Sequence, residues 1–519
     1  MKKLSVVLAA VLAVLAFTLP ASAFENEFGG YWRTRYFTNQ NFAGADDIYQ
    51  SAGVPANVKP RTAGSHPYSR DITTIDTRTR LYYTAKFSDN LKFINKFEFN
   101  ANWGQNGTYA QLGADSNTVG SAGISSADGS YNYFRLKNSY VDFKLSDQDF
   151  RVGVQDFLLA RGYLMNDDAA GVKAIFKVND AIYLPLIYMK LNEDQNGYYS
   201  TGYSYDPATG YKLNNRFDVD AYVFYPSIYL NKDNVFRPHI ATIQSEDFMK
   251  ATAKGLTLNP LEGQKLNLWS AGLEYDGKYD IYSFGATGIF EFGDLSNPGL
   301  YNVGKTTDSP YYVDKLTFGG YLFDANGAVD IGPANIHIKG IYASGDKTQS
   351  DGKGTANIPY DRNSKNYNMF LSPGNNSVNG ASYYWAEILG DGIFDNQTPA
   401  GTSGDKIMNQ IIANLGSTYQ LLPDLKFAAD LYYAQLAEDR NMNPYSKSAA
   451  NWQSNLGTEL DLVVTYTLVD NLKLDLVGAY LWSGDVINKA FAYRNAAGQT
   501  CYYSSANPYE FGTQLSLAF

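Results

Sequence analysis

The chain is poor in the residues that build disulfides, haem sites and metal centres. Its 519 residues include one cysteine, Cys501, and three histidines. One cysteine cannot form an internal disulfide, and it cannot complete the Cys-x-x-Cys-His motif that attaches haem. The sequence also lacks the His-Glu-x-x-His, Gly-x-Ser-x-Gly and P-loop motifs of common enzyme classes. These absences predict a protein without a cofactor or metal site that is not an enzyme.

Charged residues are scarce, and the basic ones are in the minority. Charged side chains make up 18% of the chain, with 42 basic against 52 acidic residues and a net charge of -10. Loss of Lys2 and Lys3 with an N-terminal signal would change the net charge to -12. A nucleic-acid-binding protein normally carries a basic footprint. The balance therefore excludes nucleic acid as an expected partner.

Long apolar runs are absent except at the N-terminus. Lys2 and Lys3 precede an apolar stretch over residues 4–19, and residues 21–23 read Ala-Ser-Ala, a small-x-small cleavage site. This pattern predicts a signal peptide over residues 1–23, cleaved after Ala23. The alternative, a membrane anchor, needs a longer run of ~20 apolar residues. No later segment approaches that length, and the mean hydropathy of -0.31 is too polar for a bundle of spanning helices.

Aromatic residues, in contrast, are abundant, with 43 Tyr, 29 Phe and 6 Trp. The last eleven residues, 509–519, read YEFGTQLSLAF and alternate between apolar or neutral and polar or small side chains. A period of two predicts a strand with one apolar face and one wet face. A chain that ends on such a strand, with Phe519 as its last residue, resembles bacterial outer-membrane β-barrels. The resemblance implies that the barrel-assembly machinery recognises Phe519.

The connections between alternating segments are of two kinds, which predicts the fold. Short turns rich in Asp and Asn alternate with long Gly-, Ser- and Asn-rich loops, as expected of a barrel with tight periplasmic turns and long outer loops. We predict an all-β protein: a transmembrane antiparallel up-and-down β-barrel over residues 24–519, with long extracellular loops at 38–70, 104–130 and 345–405. The segment count gives 18 strands. Sixteen is the alternative, because the strands near residues 149–155 and 171–177 are short. A soluble secreted β-protein is the less favoured class.

Such a barrel would lie in the outer membrane of a Gram-negative bacterium, in contact with lipid and lipopolysaccharide. Its alternation assigns the charged side chains to the lumen, because a charge at the lipid midplane costs about 2–4 kcal/mol. The predicted pore-lining basic residues are Arg33, Arg35, Arg78, Arg80, Lys92 and Lys96. The predicted pore-lining acidic residues are Asp430, Glu459, Asp461, Asp475 and Glu510. Two charged walls predict a preference for anionic or polar solutes. The alternative is simple ion pairing across strands in a wet lumen.

A lumen enclosed by 16–18 strands is too wide for wall side chains alone to fill. The longest loop, about residues 346–404, contains apolar clusters, and a long loop of this kind in a compact protein is usually functional or disordered. We therefore predict that this loop folds inward as a constriction or lid. The alternative is a surface loop. The first loop, residues 38–70, is the second candidate for a constriction.

One motif suggests a narrower family. Residues 151–155 read Arg-Val-Gly-Val-Gln and are followed by Asp-Asp-Ala-Ala-Gly-Val-Lys at 167–173. Together with the signal peptide and Phe519, this resembles the alginate-export-like outer-membrane channels, whose barrels have 18 strands. The opening FENEFGGYWRTR and the segment TRTRLYYT also look like outer-membrane channels of metal-respiring bacteria, some of which sheathe multihaem cytochromes.

Three functions remain open from the sequence. The favoured one is a porin through which small hydrophilic solutes diffuse passively. The charged walls extend this hypothesis to anionic solutes. The alternative is a barrel sheath or secretion pore around a partner such as a multihaem cytochrome, which would need a wide, loop-free lumen. An outer-membrane hydrolase would need a lipid-facing Ser–His pair, which the sequence does not reveal.

Overall fold

Eighteen antiparallel strands close into one ring in the computed structural model of the chain. The structure describes residues 24–42, 72–103, 133–192, 219–245, 265–296, 315–350, 357–359, 366–371, 386–390, 392–394, 407–443, 452–490, 492–494, 498–502 and 507–519. The predicted signal peptide and the loops at 43–70 and 104–130 lie outside these residues. The predicted count of 18 strands is confirmed, and the alternative count of 16 is wrong.

The barrel strands follow one another around the ring in chain order, and each pairs with its sequence neighbours. They are β1 (Glu25–Gln40), β2 (Ile72–Ser88), β3 (Leu91–Asn102), β4 (Tyr133–Leu145), β5 (Gln148–Leu159), β6 (Met165–Asn179), β7 (Ile182–Asn192), β8 (Val219–Phe224 and Ser227–Asn231), β9 (Asn234–Ser245), β10 (Leu266–Tyr279), β11 (Tyr282–Ser296), β12 (Lys315–Phe318 and Tyr321–Ile331), β13 (Ala334–Ala343), β14 (Gln410–Leu422), β15 (Leu425–Asn441), β16 (Trp452–Val469), β17 (Leu472–Ser483) and β18 (Tyr509–Ala518).

The first and last strands close the ring. β1 pairs with β2 on one side and with β18 on the other, where Arg35 lies opposite Gln514 and Asn39 lies opposite Glu510. The backbone of Phe519 exchanges two hydrogen bonds with Gly30, at 2.7 and 3.1 Å. No strand edge of the ring is left to face lipid at this seam, which a membrane-spanning sheet requires.

The alternation places apolar side chains outside and charged ones inside, as predicted. Leu81 on β2 and Leu462 on β16 are about half exposed on the outer face, whereas Glu98 and Glu459 on the inner face are fully buried. Many large apolar and aromatic side chains of the strands are exposed, among them Phe290, Leu415 and Phe511. An apolar band of this kind suits the hydrocarbon region of a bilayer. No helix within the described ranges is both long and apolar enough to cross a membrane.

Tight turns join the strands at one end of the barrel. Four of them contain a residue with left-handed backbone: Ser146 (φ 53°), Asp280 (φ 53°), Gly332 (φ 58°) and Asn471 (φ 67°). Gly, Asn and Asp tolerate this conformation, which explains the Asp- and Asn-rich punctuation of the sequence.

The lumen of the barrel is not lined by wall residues alone. A large apolar cluster fills part of it, where inward-facing wall residues such as Ile289, Leu322 and Ile412 contact apolar residues of the inner segments, among them Tyr163 and Ile388. A short helix after β17, Asp485–Asn488, adds Val486 and Ile487 to this cluster. The candidate functional site is therefore the space between the charged wall and these inner segments.

Candidate solute-binding lumen

An arginine cluster covers the inner face of β1 to β4. It consists of Arg33, Arg35, Arg78, Arg80 and Arg135. Arg33 lies directly opposite Arg78 in the pairing of β1 with β2, and the strand pairing places Arg80 next to Glu98 and Glu98 next to Arg135. The side chains of Arg78, Arg80 and Arg135 are 20%, 29% and 45% exposed, so the cluster opens toward the lumen at its β4 end.

Two carboxylates partly neutralise the arginine cluster. The fully buried Glu98 accepts hydrogen bonds from Arg80 and Arg135, each at 2.7 Å, and lies 3.9 Å from Arg78. Asp76 pairs with Arg35 through both carboxylate oxygens. Five guanidinium groups thus face two carboxylates. Arg33 is 8% exposed and has no ion pair within the described part of the chain. Like charges on neighbouring strands repel, so this wall favours an added anion.

The two predicted lysines extend the wall but carry less net charge. Lys96 donates to Asp156 at 3.0 Å. Lys92 lies opposite Asp142 in the pairing of β3 with β4, and Asp142 pairs with Arg151 at 3.0 Å. The predicted alternative, ion pairing across strands, therefore describes this part of the wall better than a continuous basic stripe does.

The predicted acidic residues all face inward but do not form one open wall. Asp430 accepts a 2.7 Å hydrogen bond from the His337 ring, and Asp475 accepts one from Thr465, also at 2.7 Å. Glu459, Asp461 and Glu510 are at most 4% exposed. The prediction that these three line an open pore is wrong, because folded segments and neighbouring strands cover them.

One of the covering elements is a strap formed by residues 386–390 and 392–394, which belong to the long loop between β13 and β14. Its backbone N–H groups at Glu387, Ile388 and Leu389 donate to the carboxylates of Asp461 and Glu459, at 3.1, 2.6 and 2.9 Å. Its other end is held by the Arg35 guanidinium, which donates to the carbonyl groups of Ile393 and Phe394.

The strap crosses the seam of the barrel. The Phe394 ring stacks on Phe37 of β1 with centroids 5.0 Å apart, and it packs over Gly512 of β18, where a Cβ atom would lie 2.5 Å from the ring. Gly392 turns the strap with φ +44°, and any Cβ there would collide with Glu387. The inward folding predicted for the loop 346–404 holds for this part of it.

A second covering element is the inward hairpin, residues 155–169, which the sequence did not reveal. β5 pairs with β4 only up to Val154, and β6 pairs with β7 only from Ala170. Beyond these points the two strands pair only with each other. The short strands predicted at 149–155 and 171–177 are thus close to the parts of β5 and β6 that belong to the wall, and the remainder extends into the lumen.

The tip of the inward hairpin is held by hydrogen bonds to the opposite wall. Arg161 donates to Thr287 at 2.6 Å and to Asp276 at 2.7 Å, and Tyr163 donates to Asp324 at 2.7 Å. Burial and the neighbouring Asp324 raise the pKa of Tyr163 well above its usual value. Ala160 and Arg161 both have left-handed backbone, at φ 49° and 56°. Non-glycine residues in this region cost about 1–3 kcal/mol each, so the contacts of the tip must offset that strain.

The inward hairpin also contacts the basic wall along its sides. Asp156 accepts from Lys96, and Asp168 accepts from Lys137 and Asn138. The hairpin therefore runs from the wall of β3 and β4 to the wall of β10 to β12 and narrows the lumen beside the arginine cluster. The tip of the hairpin, residues 160–165, reads ARGYLM. An arginine between small and apolar residues is the only sequence signal for this hairpin. Among the described residues, no group of three or more potential ligands is placed to hold a metal ion.

Comparison with known proteins places the fold. No protein-family model and no curated protein matches the chain. OccAB1 from Acinetobacter baumannii has 12% sequence identity and a TM-score of 0.50, over 95% of this chain and 97% of its own. OccK8 (OprE) from Pseudomonas aeruginosa has 11% identity and a TM-score of 0.47, over 95% and 98%. The outer membrane protein OpdK from Pseudomonas aeruginosa has 11% identity and a TM-score of 0.45, over 95% and 99%. The chain is thus a closed 18-strand β-barrel with the fold of outer-membrane porins.

Proposed function

We propose that the chain is an outer-membrane porin of a Gram-negative bacterium that lets small hydrophilic solutes diffuse through and prefers anions. The closed barrel and its apolar outer face support a position in the membrane. The lumen, which is lined by charged side chains and narrowed by the inward hairpin and the strap, supports passage of small rather than large solutes. The protein is proposed to act as a channel and not as an enzyme.

The arginine cluster is the observation that carries the anion preference. Rings or walls of one charge determine which ions enter a pore. Five guanidinium groups face two carboxylates, and Arg33 has no carboxylate partner in the described residues. Guanidinium groups bind carboxylate and phosphate groups through paired hydrogen bonds. The cluster would therefore hold a small carboxylate or phosphate solute next to the constriction.

Replacing Arg33 tests this proposal. We expect Arg33→Gln to lower the ratio of anion to cation permeability, measured from the reversal potential of the purified protein in planar bilayers under a salt gradient. The matched control is Lys426→Gln, which removes the same charge from the inner face of β15, four strands away from β1 around the ring. An equal change in both variants, or none in Arg33→Gln, would show that the cluster does not determine selectivity.

The competing sheath hypothesis requires a wide, loop-free lumen. The inward hairpin and the strap fill part of the lumen, which a cytochrome inside the barrel would need. Their contacts with the wall favour the porin over the sheath. Copurification of a haem protein with the barrel would be the observation that restores the sheath hypothesis.

The finer assignments remain part of the proposal. The likeness to alginate-export-like channels rests on residues 151–155 and 167–173, and of these Arg151 pairs with Asp142 on the inner wall. The signal peptide with cleavage after Ala23, the contacts with lipid and lipopolysaccharide, and the recognition of Phe519 by the assembly machinery are proposed on sequence grounds.

A further inference from the structure

Three buried carboxyl groups, one of the strap and two of β16, lie where the strap meets the wall, and no cation of the described residues pairs with them. Glu387 of the strap is 1% exposed, Glu459 is 0% exposed and Asp461 is 4% exposed. None of the three forms an ion pair with any residue that the structure describes. A buried carboxylate without a cation is strongly destabilised, and such groups normally take up a proton instead.

The geometry of these groups also favours protonation. Glu459 and Asp461 lie two residues apart on the inner face of β16, and the backbone N–H groups of Glu387, Ile388 and Leu389 bond to their carboxylates. Like charges that are held this close together disfavour the ionised form. One oxygen of Glu387 accepts from the N–H of Ile393 at 2.7 Å, whereas its other oxygen and one oxygen of Asp461 have no hydrogen-bond partner in the part of the chain that the structure describes.

The other charged groups around the strap do not neutralise it. β15 contributes Asp430, which is already bonded to His337 and Asn414, and β17 contributes Asp475. β18 contributes Glu510, and β13 contributes Lys339, which lies near Asp430. Among the described residues, the one cation bonded to the strap is Arg35, which is bonded to Asp76 and to the far end of the strap. Carboxyl groups therefore dominate around residues 386–389.

We propose that the strap is a pH-sensitive gate of the lumen, closed while its carboxyl groups carry protons and released at its 386–389 end when they ionise. This regulation rests on the proposed channel function, because it assumes that the lumen conducts. Arg35 keeps its bonds to Ile393 and Phe394 in both states, so the strap pivots at that end. Release uncovers the inner face of β16 and widens the space beside the arginine cluster.

The direction of the pH effect follows from Glu387, which lies in the loop outside the spanning strands. Burial, with Glu459 adding to it, raises the pKa of Glu387 to about 8 from its usual value near 4.5. Below the usual pKa the group is protonated whether the strap is docked or released, and docking is then most stable. As the pH rises from there toward 8, only the released state gives up the proton, so the docked state loses stability.

Two measurements test the gate. In planar bilayers, we expect the conductance of the wild-type channel to rise between about pH 5 and about pH 8, and we expect Glu387→Gln to remain in the low-conductance state across this range. Gln keeps an oxygen for the N–H of Ile393 but cannot ionise. Asp156→Asn is the matched control: it also removes one lumen carboxylate, but that carboxylate pairs with Lys96, so its conductance step should stay.

Cysteine labelling tests the motion separately from conduction. In a Cys501→Ser background, Leu389→Cys places a thiol where the native side chain is 2% exposed. We expect the ratio of its labelling rate by a membrane-impermeant maleimide at about pH 8 to its rate at about pH 5 to be at least tenfold larger than the same ratio for a fully exposed reference cysteine. The reference cysteine corrects for thiolate formation.

The outcomes separate the gate from the channel. A conductance that is flat in the wild type, an unchanged step in Glu387→Gln, or labelling that only follows the reference cysteine would each overturn the gate. Absence of conductance at every pH, together with pH-dependent labelling, would instead overturn the channel function and leave the motion of the strap in place.

Discussion

At the scale of single residues, the charged side chains of the inner wall are of two kinds. Some form ion pairs that stabilise the barrel, and others have no ion pair among the described residues. Glu98 is bonded to two arginines, and Asp76 is bonded to one. Breaking such a buried pair leaves an uncompensated charge, which costs about 3–5 kcal/mol. Arg33 has no such pair in the described residues, so its buried charge adds to the field of the cluster that an entering anion meets at the more exposed Arg80 and Arg135.

Tyr163 gives a stability prediction at the same scale. Tyr163→Phe removes the 2.7 Å hydrogen bond to Asp324 and leaves a buried carboxylate oxygen without its donor. Loss of a bond to a buried acceptor costs about 1–3 kcal/mol, so we expect the inward hairpin to loosen and the urea midpoint of unfolding to fall. Tyr466→Phe, at an outer position that is 40% exposed, is the control. Equal midpoints for both variants would mean that the hairpin is not held through Tyr163.

At the scale of elements, the strap and the inward hairpin narrow the lumen by different chemistry. The strap is held by hydrogen bonds from its backbone to wall carboxyl groups, whereas the hairpin is held by side-chain bonds from Arg161 and Tyr163 to the wall. The hairpin is also continuous with β5 and β6. We therefore expect the strap to move more readily than the hairpin.

Phe394 tests how firmly the strap is docked. Phe394→Ala removes a fully buried ring that stacks on Phe37. A change of this kind costs about 3–5 kcal/mol in a packed core. The expected result is a higher conductance at neutral pH, because the strap loses the apolar contact that holds this end of it to the seam. Phe511→Ala, which removes a ring from the lipid-facing side of β18, should leave the conductance unchanged. A conductance that also stays unchanged in Phe394→Ala would show that the strap does not limit the lumen.

The wall of the barrel could be predicted from the sequence because a strand between lipid and a wet lumen must alternate apolar and polar side chains. Each wall strand must place residues such as Leu81 and Leu462 outside, so a period of two appears wherever a strand faces lipid. The parts of β5 and β6 that form the inward hairpin, residues 155–169, do not face lipid. The hairpin instead packs inside the lumen through apolar residues, which are Phe157, Leu159 and Met165. Alternation of apolar and polar residues does not distinguish a lipid face from a water face there, so the inward hairpin could not be predicted.

The candidate site was predictable in part for the same reason. Inward positions such as Arg78 and Glu459 followed from the period of two, but their partners did not. Whether Glu459 faces water or a folded segment depends on the strap, which joins residues more than 60 positions apart in the chain. Long-range contacts of loops leave no periodic signal in the sequence.

At the scale of the whole molecule, the seam between β1 and β18 contains residues that close the barrel, residues that hold the proposed gate and residues of the proposed anion site. Arg33 and Arg35 lie on the strand that closes the ring, the strap crosses this seam, and Phe519 bonds to Gly30 at its end. A change at the seam is therefore expected to affect assembly and conduction together.

Deletion of Phe519 separates the two effects. If the terminal residue is an assembly signal, its deletion should lower the amount of folded barrel in cells several-fold, measured by heat-modifiable gel mobility. Refolding of the purified chain into detergent, without the assembly machinery, should be much less affected, because the deletion removes two backbone hydrogen bonds and the contact of one half-exposed ring with Gly30. Equal losses in cells and in detergent would indicate a purely structural role for Phe519.

The central claim is that the barrel is a channel whose arginine cluster favours anions, and its most direct test is the reversal potential of the wild-type protein in a planar bilayer. Under a gradient of potassium chloride, we expect discrete openings and a reversal potential displaced toward the equilibrium potential of chloride. The displacement should shrink at high salt, because salt screens the field of the cluster. Absence of discrete openings, or a displacement toward the equilibrium potential of potassium, would contradict the account.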